Sequence, residues 1–243
     1  MQFNFQKSCL ALLMVILVGL PACGGRKYKK NPVDTLIGKL GTENNYSIIL
    51  EDMDVDGNFS KSYKHKYRIV ETIDSVPEET HTDWMEVPEE YFWANENNLG
   101  MELAALHDGQ LSKTAAPPGY HNYVGNSRYG SWQTNNRGES FWSFYGKYAL
   151  LSSLLNMGNR PVYRSDYSDW NGNYRGRRAY YGPMQGGSYK YGTNSTYTRQ
   201  NKPNFFARRQ AKDGFRRSSS RTTRTSGRSS SGGFRSRGGG FGK

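Results

Sequence analysis

Cysteine, long apolar runs and catalytic signatures are all scarce in this chain of 243 residues. Its two cysteines, Cys9 and Cys23, are too few for a disulfide framework or a thiolate metal site, so any folded part must be held by packing. The longest apolar stretch runs from Cys9 to Leu20, about a dozen residues. A membrane-spanning helix needs roughly 20. The chain contains no HExxH, no G-x-S-x-G elbow and no glycine loop opening a helix. Its four histidines, His65, His81, His107 and His121, are scattered, and although His81-Thr82-Asp83 is a pairing able to orient an imidazole, no nucleophile accompanies it. The pairs Glu78-Glu79 and Glu89-Glu90 are sequence neighbours, a poor arrangement for an opposed acid and base. These absences predict a protein that is not an enzyme, with no cofactor and no small-molecule substrate.

Two further shortages divide the chain. Leu, Ile and Val do not occur after Val162, where the text becomes Tyr, Gly, Arg, Asn and Ser. Without aliphatic side chains to offset the entropy of ordering, residues 163–243 are expected to be disordered. The last 28 residues, RRSSSRTTRTSGRSSSGGFRSRGGGFGK, are low in complexity. Acidic residues thin out in the same direction. Residues 31–110 carry 17 acidic and 5 basic side chains, residues 111–200 carry 3 and 11, and residues 201–243 carry 1 and 12. The net charge of +12 therefore hides an acidic first half and a strongly basic end, which attract each other within one fold or recruit different partners.

The N-terminus supplies an address. Lys7 precedes the apolar run, which closes on Leu20-Pro21-Ala22-Cys23 followed by Gly24. The length of the run and the small residue before the cysteine match a secretory h-region and cleavage site. This ending resembles the lipobox of bacterial lipoproteins. The resemblance implies cleavage between Ala22 and Cys23, a diacylglycerol on the Cys23 sulfur and usually an acylated Cys23 amine. Two or three chains at about 0.8 kcal/mol per buried methylene anchor a protein stably. It implies a place in the bacterial envelope, and Gly24 fits outer-membrane sorting, facing the periplasm or the cell surface. Arg26, Lys27, Lys29 and Lys30 then form a basic tether next to the anionic lipid surface.

Between tether and tail the pattern predicts a small single α+β domain. Residues 1–22 are expected as signal peptide, 23–40 as tether, 41–162 as the domain and 163–243 as the disordered tail. Asn45 to Val70 reads as an antiparallel hairpin. Met53 and Val55 alternate with Asp52 and Asp54, and Phe59, Tyr63, Tyr67 and Ile69 alternate with Ser62, Lys64, Lys66 and Arg68. A three-residue loop, Asp56-Gly57-Asn58, keeps apolar residues opposite apolar ones, where a two-residue loop would not. His65 falls on the apolar side. A second strand is expected near 83–87 and a helix near 97–106. Phe141–Met157 reads as an amphipathic helix with Ser140 as N-cap, Gly158 just past its end and Pro161 as a stop.

Two sets of residues are candidate binding sites. Asp52-x-Asp54-x-Asp56-Gly57 matches the start of an EF-hand loop and makes Asp52, Asp54 and Asp56 a calcium candidate. The twelfth position is Tyr63 instead of a bidentate Glu, and the hairpin explains the same aspartates. The arginines Arg208, Arg209, Arg216, Arg217, Arg221, Arg224, Arg228, Arg235 and Arg237, with interspersed Phe, suit polyanion contact. For a protein of the envelope this means anionic envelope polymers, lipid head groups or an acidic protein partner, and no specific nucleic acid. The expected function is a non-enzymatic envelope lipoprotein whose basic tail touches anionic material. The alternative is an accessory subunit of a membrane or envelope complex, docked through the 141–157 helix.

Overall fold

The computed structural model describes residues 31–57, 60–158, 160–212 and Phe215. Cys23, Ala22 and the tail arginines from Arg216 onward lie outside these residues. The fold is α+β. Its centre is an antiparallel sheet of six strands: β1 (Tyr46–Asp56), β2 (Ser62–Ile73), β3 (Val76–His81), β4 (Met85–Val87), β5 (Glu102–His107) and β6 (Gln110–Ser112). Their order is β3-β2-β1-β5-β6, with β4 pairing the first part of β2 beside β3. Helices α1 (Pro32–Leu40) and α2 (Glu89–Ala94) belong to the same half of the molecule.

The hairpin forms with the expected parity. Val55 pairs with Tyr63, Met53 with His65, Asp54 with Lys64 and Asp52 with Lys66. Its loop is longer than three residues, because Asp56 pairs with Ser62. The register shifts between Leu50 and Asp52, where Glu51 is the extra residue of a bulge. The apolar pattern demands that shift. Tyr46, Ile48 and Leu50 occupy even positions while Met53 and Val55 occupy odd ones, and without an inserted residue one set would face solvent. With it, all five enter one core, together with Tyr63, Tyr67, Ile69, Val33, Leu36, Phe92 and Phe205. The opposite face of the sheet is covered as well. Ile49 and Val70 pack there against Tyr123, Tyr129, Tyr148, Leu151 and Leu155.

Three expectations about local structure are corrected. Residues 32–40 are not part of a tether but form α1, whose N-cap Asn31 accepts from the Val33 N–H at 3.0 Å. No helix forms at 97–106. Glu102–His107 is β5, because β1 needs a partner on its second edge and takes Leu106 opposite Tyr46. Phe141–Met157 is not one helix. Strand β8 (Ser140–Phe144) pairs with β7 (Gly130–Thr134), Trp142 lying opposite Trp132 with ring centroids 5.2 Å apart. A 3-10 turn follows at Gly146–Tyr148, and helix α3 spans only Leu150–Leu154. Aromatic residues favour strands as readily as helix faces, so a helical spacing of Phe, Trp and Tyr decides little. Asn156, at φ 55°, ends α3 in place of Gly158, with Met157 N–H donating to Ser152 O and Asn156 N–H to Ser153 O. Docking on a partner through a 141–157 helix therefore has no such helix to use; Leu151 and Leu155 are buried, and Tyr145 and Leu150 are the large apolar residues of that stretch that are exposed.

The largest correction concerns the segment after Val162. Residues 163–212 are folded, carrying α4 (Arg164–Asp169), a π turn at Trp170–Tyr174, the short pair β9 (Met184–Gln185) and β10 (Ser188–Tyr189), α5 (Thr196–Asn201) and α6 (Pro203–Ala211). Aromatic rings replace the missing aliphatics. Trp170, Tyr180 and Tyr191 pack against Met101, Tyr120, Val124 and Val162 in a core of their own. Each such ring buries on the order of 150–250 Å². The segment is also stitched by hydrogen bonds. Thr193 Oγ1 accepts from the Leu99 N–H at 3.0 Å, Thr193 N–H donates to Asn97 O at 3.0 Å, and Tyr181 Oη donates to Asn98 Oδ1 at 2.8 Å. Gly192 permits this approach: at φ +83° a Cβ would stand 2.6 Å from Asn97 O.

A chain ended after Val162 is thus expected to lose its cooperative unfolding transition, which a thermal melt followed by near-ultraviolet circular dichroism would show as no sigmoidal step. His65 gives a second prediction. It is fully buried among Tyr67, Tyr91 and Phe92, and burial pulls its pKa from 6.5 to about 3. Between those values the unfolded chain binds a proton that the folded chain refuses, so stability is lost as pH falls through the window. From pH 7 to pH 5 this amounts to about 2 kcal/mol. Urea melts should show the native chain losing that much more stability over the interval than a His65→Phe variant.

Candidate functional site

The residues singled out from the sequence meet in an unexpected way. Asp52, Asp54 and Asp56 lie on alternate positions of β1, where β5 no longer pairs with it, and α6 contacts that strand instead. Arg208 of α6 bonds both carboxylate oxygens of Asp52 at 2.7 Å and reaches Asp54 at 3.7 Å. Lys212 bonds Asp54 at 2.8 Å and Asp56 at 3.0 Å, and Lys64 bonds Asp56 at 2.8 Å. The hydrogen bonds from Lys64 and Lys212 hold the Asp56 carboxyl below the ordinary carboxylate range, outweighing its slight burial. The calcium candidate is therefore an ion-pair ladder. Its carboxylates are neutralised by cations of the same chain, and Tyr63, at the twelfth position, is buried in β2. Among the described residues no group of three His, Cys, Asp or Glu is placed to hold a metal. Arg208, proposed from sequence for polyanion contact, is turned inward; Arg209 forms no ion pair among the described residues.

A different arginine stands without an anion. A cavity of about 280 Å³ opens between the sheet and the segments around Arg160 and α5, lined by Glu51, Arg68, His81, Arg160, Tyr197 and Lys202 among others. The acidic group at its wall is already matched. Glu51 accepts from His81 Nδ1 at 2.8 Å and lies 3.7 Å from Lys66 Nζ, while Arg68 donates to Glu79, outside the lining, at 3.1 Å. Burial works to raise the Glu51 carboxyl, but the His81 hydrogen bond and the nearby Lys202 and Lys66 charges outweigh it and hold it below its usual value.

Arg160 has no carboxylate within ion-pair distance among the described residues. Its guanidinium stacks over Tyr197, 3.9 Å from the ring centroid, and lies 5.1 Å from that of Tyr191. Nε and Nη2 donate to Asn156 O at 3.3 and 3.2 Å, and Nη1 reaches Lys190 O at 3.5 Å. A guanidinium has five N–H donors in a fixed fork, so these three bonds leave two to offer a ligand. Burial, opposed by the neighbouring tyrosines, draws its pKa below the ordinary arginine value. Holding a cation here costs desolvation, which the stacked rings and carbonyl hydrogen bonds offset in part and a bound anion would offset further. Nothing in the sequence marks Arg160: it lies between Asn159 and Pro161 outside every basic run.

Replacing Arg208 with Gln is expected to lower stability by about 1 kcal/mol at low salt, because its pairs are partly exposed. The loss should shrink in 1 M salt when urea melts are repeated there. No protein-family model, curated protein or solved structure matches this chain, so the geometry alone bears on what it does.

Proposed function

We propose that this chain is a lipid-anchored protein of the bacterial cell envelope, held at the outer membrane through Cys23, that binds anionic envelope material. The anchor rests on the Leu20-Pro21-Ala22-Cys23 sequence. The observation that supports binding is Arg160, a half-buried guanidinium on the wall of a cavity and without a carboxylate partner among the described residues. Lys202 and Arg68 line the same cavity and give it the charge that a phosphate-bearing head group, a phosphorylated glycolipid or an anionic wall polymer would meet. This reading moves specific contact from Arg208 at the root of the tail to the folded domain. Arg216, Arg217, Arg221, Arg224, Arg228, Arg235 and Arg237 then add salt-sensitive attraction to the same surfaces.

Two measurements on the full chain test this. Mass spectrometry of the protein purified from a bacterial host should find an N-terminal Cys23 carrying diacylglycerol; an unmodified Met1 or an unacylated Cys23 overturns the anchor. Calorimetric titration of the detergent-solubilised chain with glycerol phosphate should give saturable heat, and Arg160→Gln should weaken the affinity about 10-fold or more. That figure corresponds to one lost charge-assisted hydrogen-bond set. Equal affinity in the two proteins overturns the role of the cavity.

A further inference from the structure

Around β5 and β6 three side chains form a chain of hydrogen bonds that the sequence does not announce. Glu102, on β5, is completely buried. Its Oε2 accepts from the Gly119 N–H at 3.0 Å, and its Oε1 lies 2.6 Å from His121 Nδ1. His121 Nε2 in turn lies 2.9 Å from Ser112 Oγ, on the edge strand β6. A carboxylate only accepts, so Nδ1 keeps its proton and donates to Glu102; Nε2 is left as an acceptor for the Ser112 hydroxyl. Trp170 packs edge-on against the imidazole, ring centroids 5.0 Å apart. Ser112 and His121 border a separate cavity of about 320 Å³, lined also by His107, Leu111, Thr114 and Arg175.

We propose that Ser112, His121 and Glu102 form a nucleophilic site for hydrolysis of a small carboxylic ester. The geometry is that of an acyl-transfer triad: hydroxyl, imidazole and carboxylate in hydrogen-bonded sequence, with the carboxylate dry and the hydroxyl on a cavity wall. Ser112 Oγ forms a bond to the ester carbonyl carbon as its proton passes to His121 Nε2 and the carbonyl π pair moves onto oxygen. The tetrahedral species collapses, the carbon–oxygen bond to the leaving alcohol breaks, and that oxygen takes the proton from Nε2. A water molecule then attacks the acylated Ser112, gives a proton to Nε2, and releases the carboxylic acid as Oγ recovers its hydrogen. Glu102 acts as a positioning residue that holds the tautomer and the ring orientation. Two groups supply positive potential for the developing oxyanion. The Thr114 backbone nitrogen, which donates to Ser112 Oγ at 3.5 Å, borders the position where that oxyanion would form. Arg175, stacked 5.4 Å from the Trp170 centroid and bonded only to Asn171 Oδ1 among side chains, lines the same cavity. A merely structural role explains why Glu102 has partners, but not why the relay ends on a hydroxyl at a cavity.

The test is incubation of the full chain in detergent with diisopropyl fluorophosphate, with the modified peptide mapped by mass spectrometry. A single adduct on Ser112 is expected, absent in Ser112→Ala. Labelling should slow by about 100-fold or more in His121→Gln and in Glu102→Gln, with part of the rate recovered in Glu102→Asp. Hydrolysis of p-nitrophenyl acetate should fall to background in Ser112→Ala while that variant still melts cooperatively. A folded native chain with no adduct on Ser112 overturns the proposal. So does an adduct that forms at the native rate when His121 is replaced in a protein that still melts cooperatively. This site is independent of the Arg160 cavity, so Arg160→Gln should leave labelling unaltered.

Discussion

Strand β1 is buried on both of its faces, and most of the architecture answers that constraint. Its residues Tyr46, Ile48 and Leu50 look toward one core and Ile49 toward another, so a single covering layer is not enough. A sheet in water can leave one face solvated only if that face alternates with polar residues, and Tyr46-Ser-Ile-Ile-Leu50 does not. The chain must therefore provide two layers. Helices α1, α2 and α6 contribute to one, and the tyrosine-rich turns from Tyr120 to Leu155 to the other. The bulge at Glu51 then lets the strand leave the doubly buried region and carry carboxylates along its far end without turning Met53 and Val55 to solvent.

The same constraint explains why a segment of weakly hydrophobic composition folds. With aliphatics in short supply beyond Val162, ordering falls to rings: Trp170 over His121, Tyr120 and Tyr167, and Tyr180, Tyr191 and Phe205 on the cores beside them. Tyrosine suits the task because its ring buries area while its hydroxyl still finds a partner, as the Tyr120–Tyr191 hydroxyl contact of 3.1 Å does. The cationic side chains belong to this arrangement too. Arg160, Arg175, Arg178 and Lys190 lie over aromatic faces, which makes rings and charges mutually supporting.

Electrostatics divides the molecule into matched and unmatched parts. The acidic hairpin and the basic helix α6 satisfy each other across about 150 residues of sequence. For Arg208 and Lys212 the opposite charges of the two ends are thus used for attraction within one fold. Among the cations without a carboxylate partner in the described residues, Arg160 and Arg175 are the two arginines that line the cavities described above. Unmatched charge at a cavity wall is where the energetic case for a ligand is strongest, because stacking and backbone hydrogen bonds offset its desolvation only in part.

Sequence alone determined the α+β class, the hairpin with its parity, the outward aspartates, the buried side of His65 and a strand near 83–87, which forms over Met85–Val87. All of these follow from period-two alternation, which is a local property of the backbone. The lipobox is equally local and belongs to this group as an expectation. Tertiary structure alone decided that Leu103 to Leu106 join the sheet as a strand, that Phe141 to Phe144 pair with a hairpin partner, and that the tyrosine-rich segment folds. It also decided that Arg208 turns inward while Arg160 faces a cavity, and that Glu102, Ser112 and His121 meet. The reason is the same in each case. These outcomes depend on which surface lies opposite a residue, and no periodicity along one strand of text contains that information.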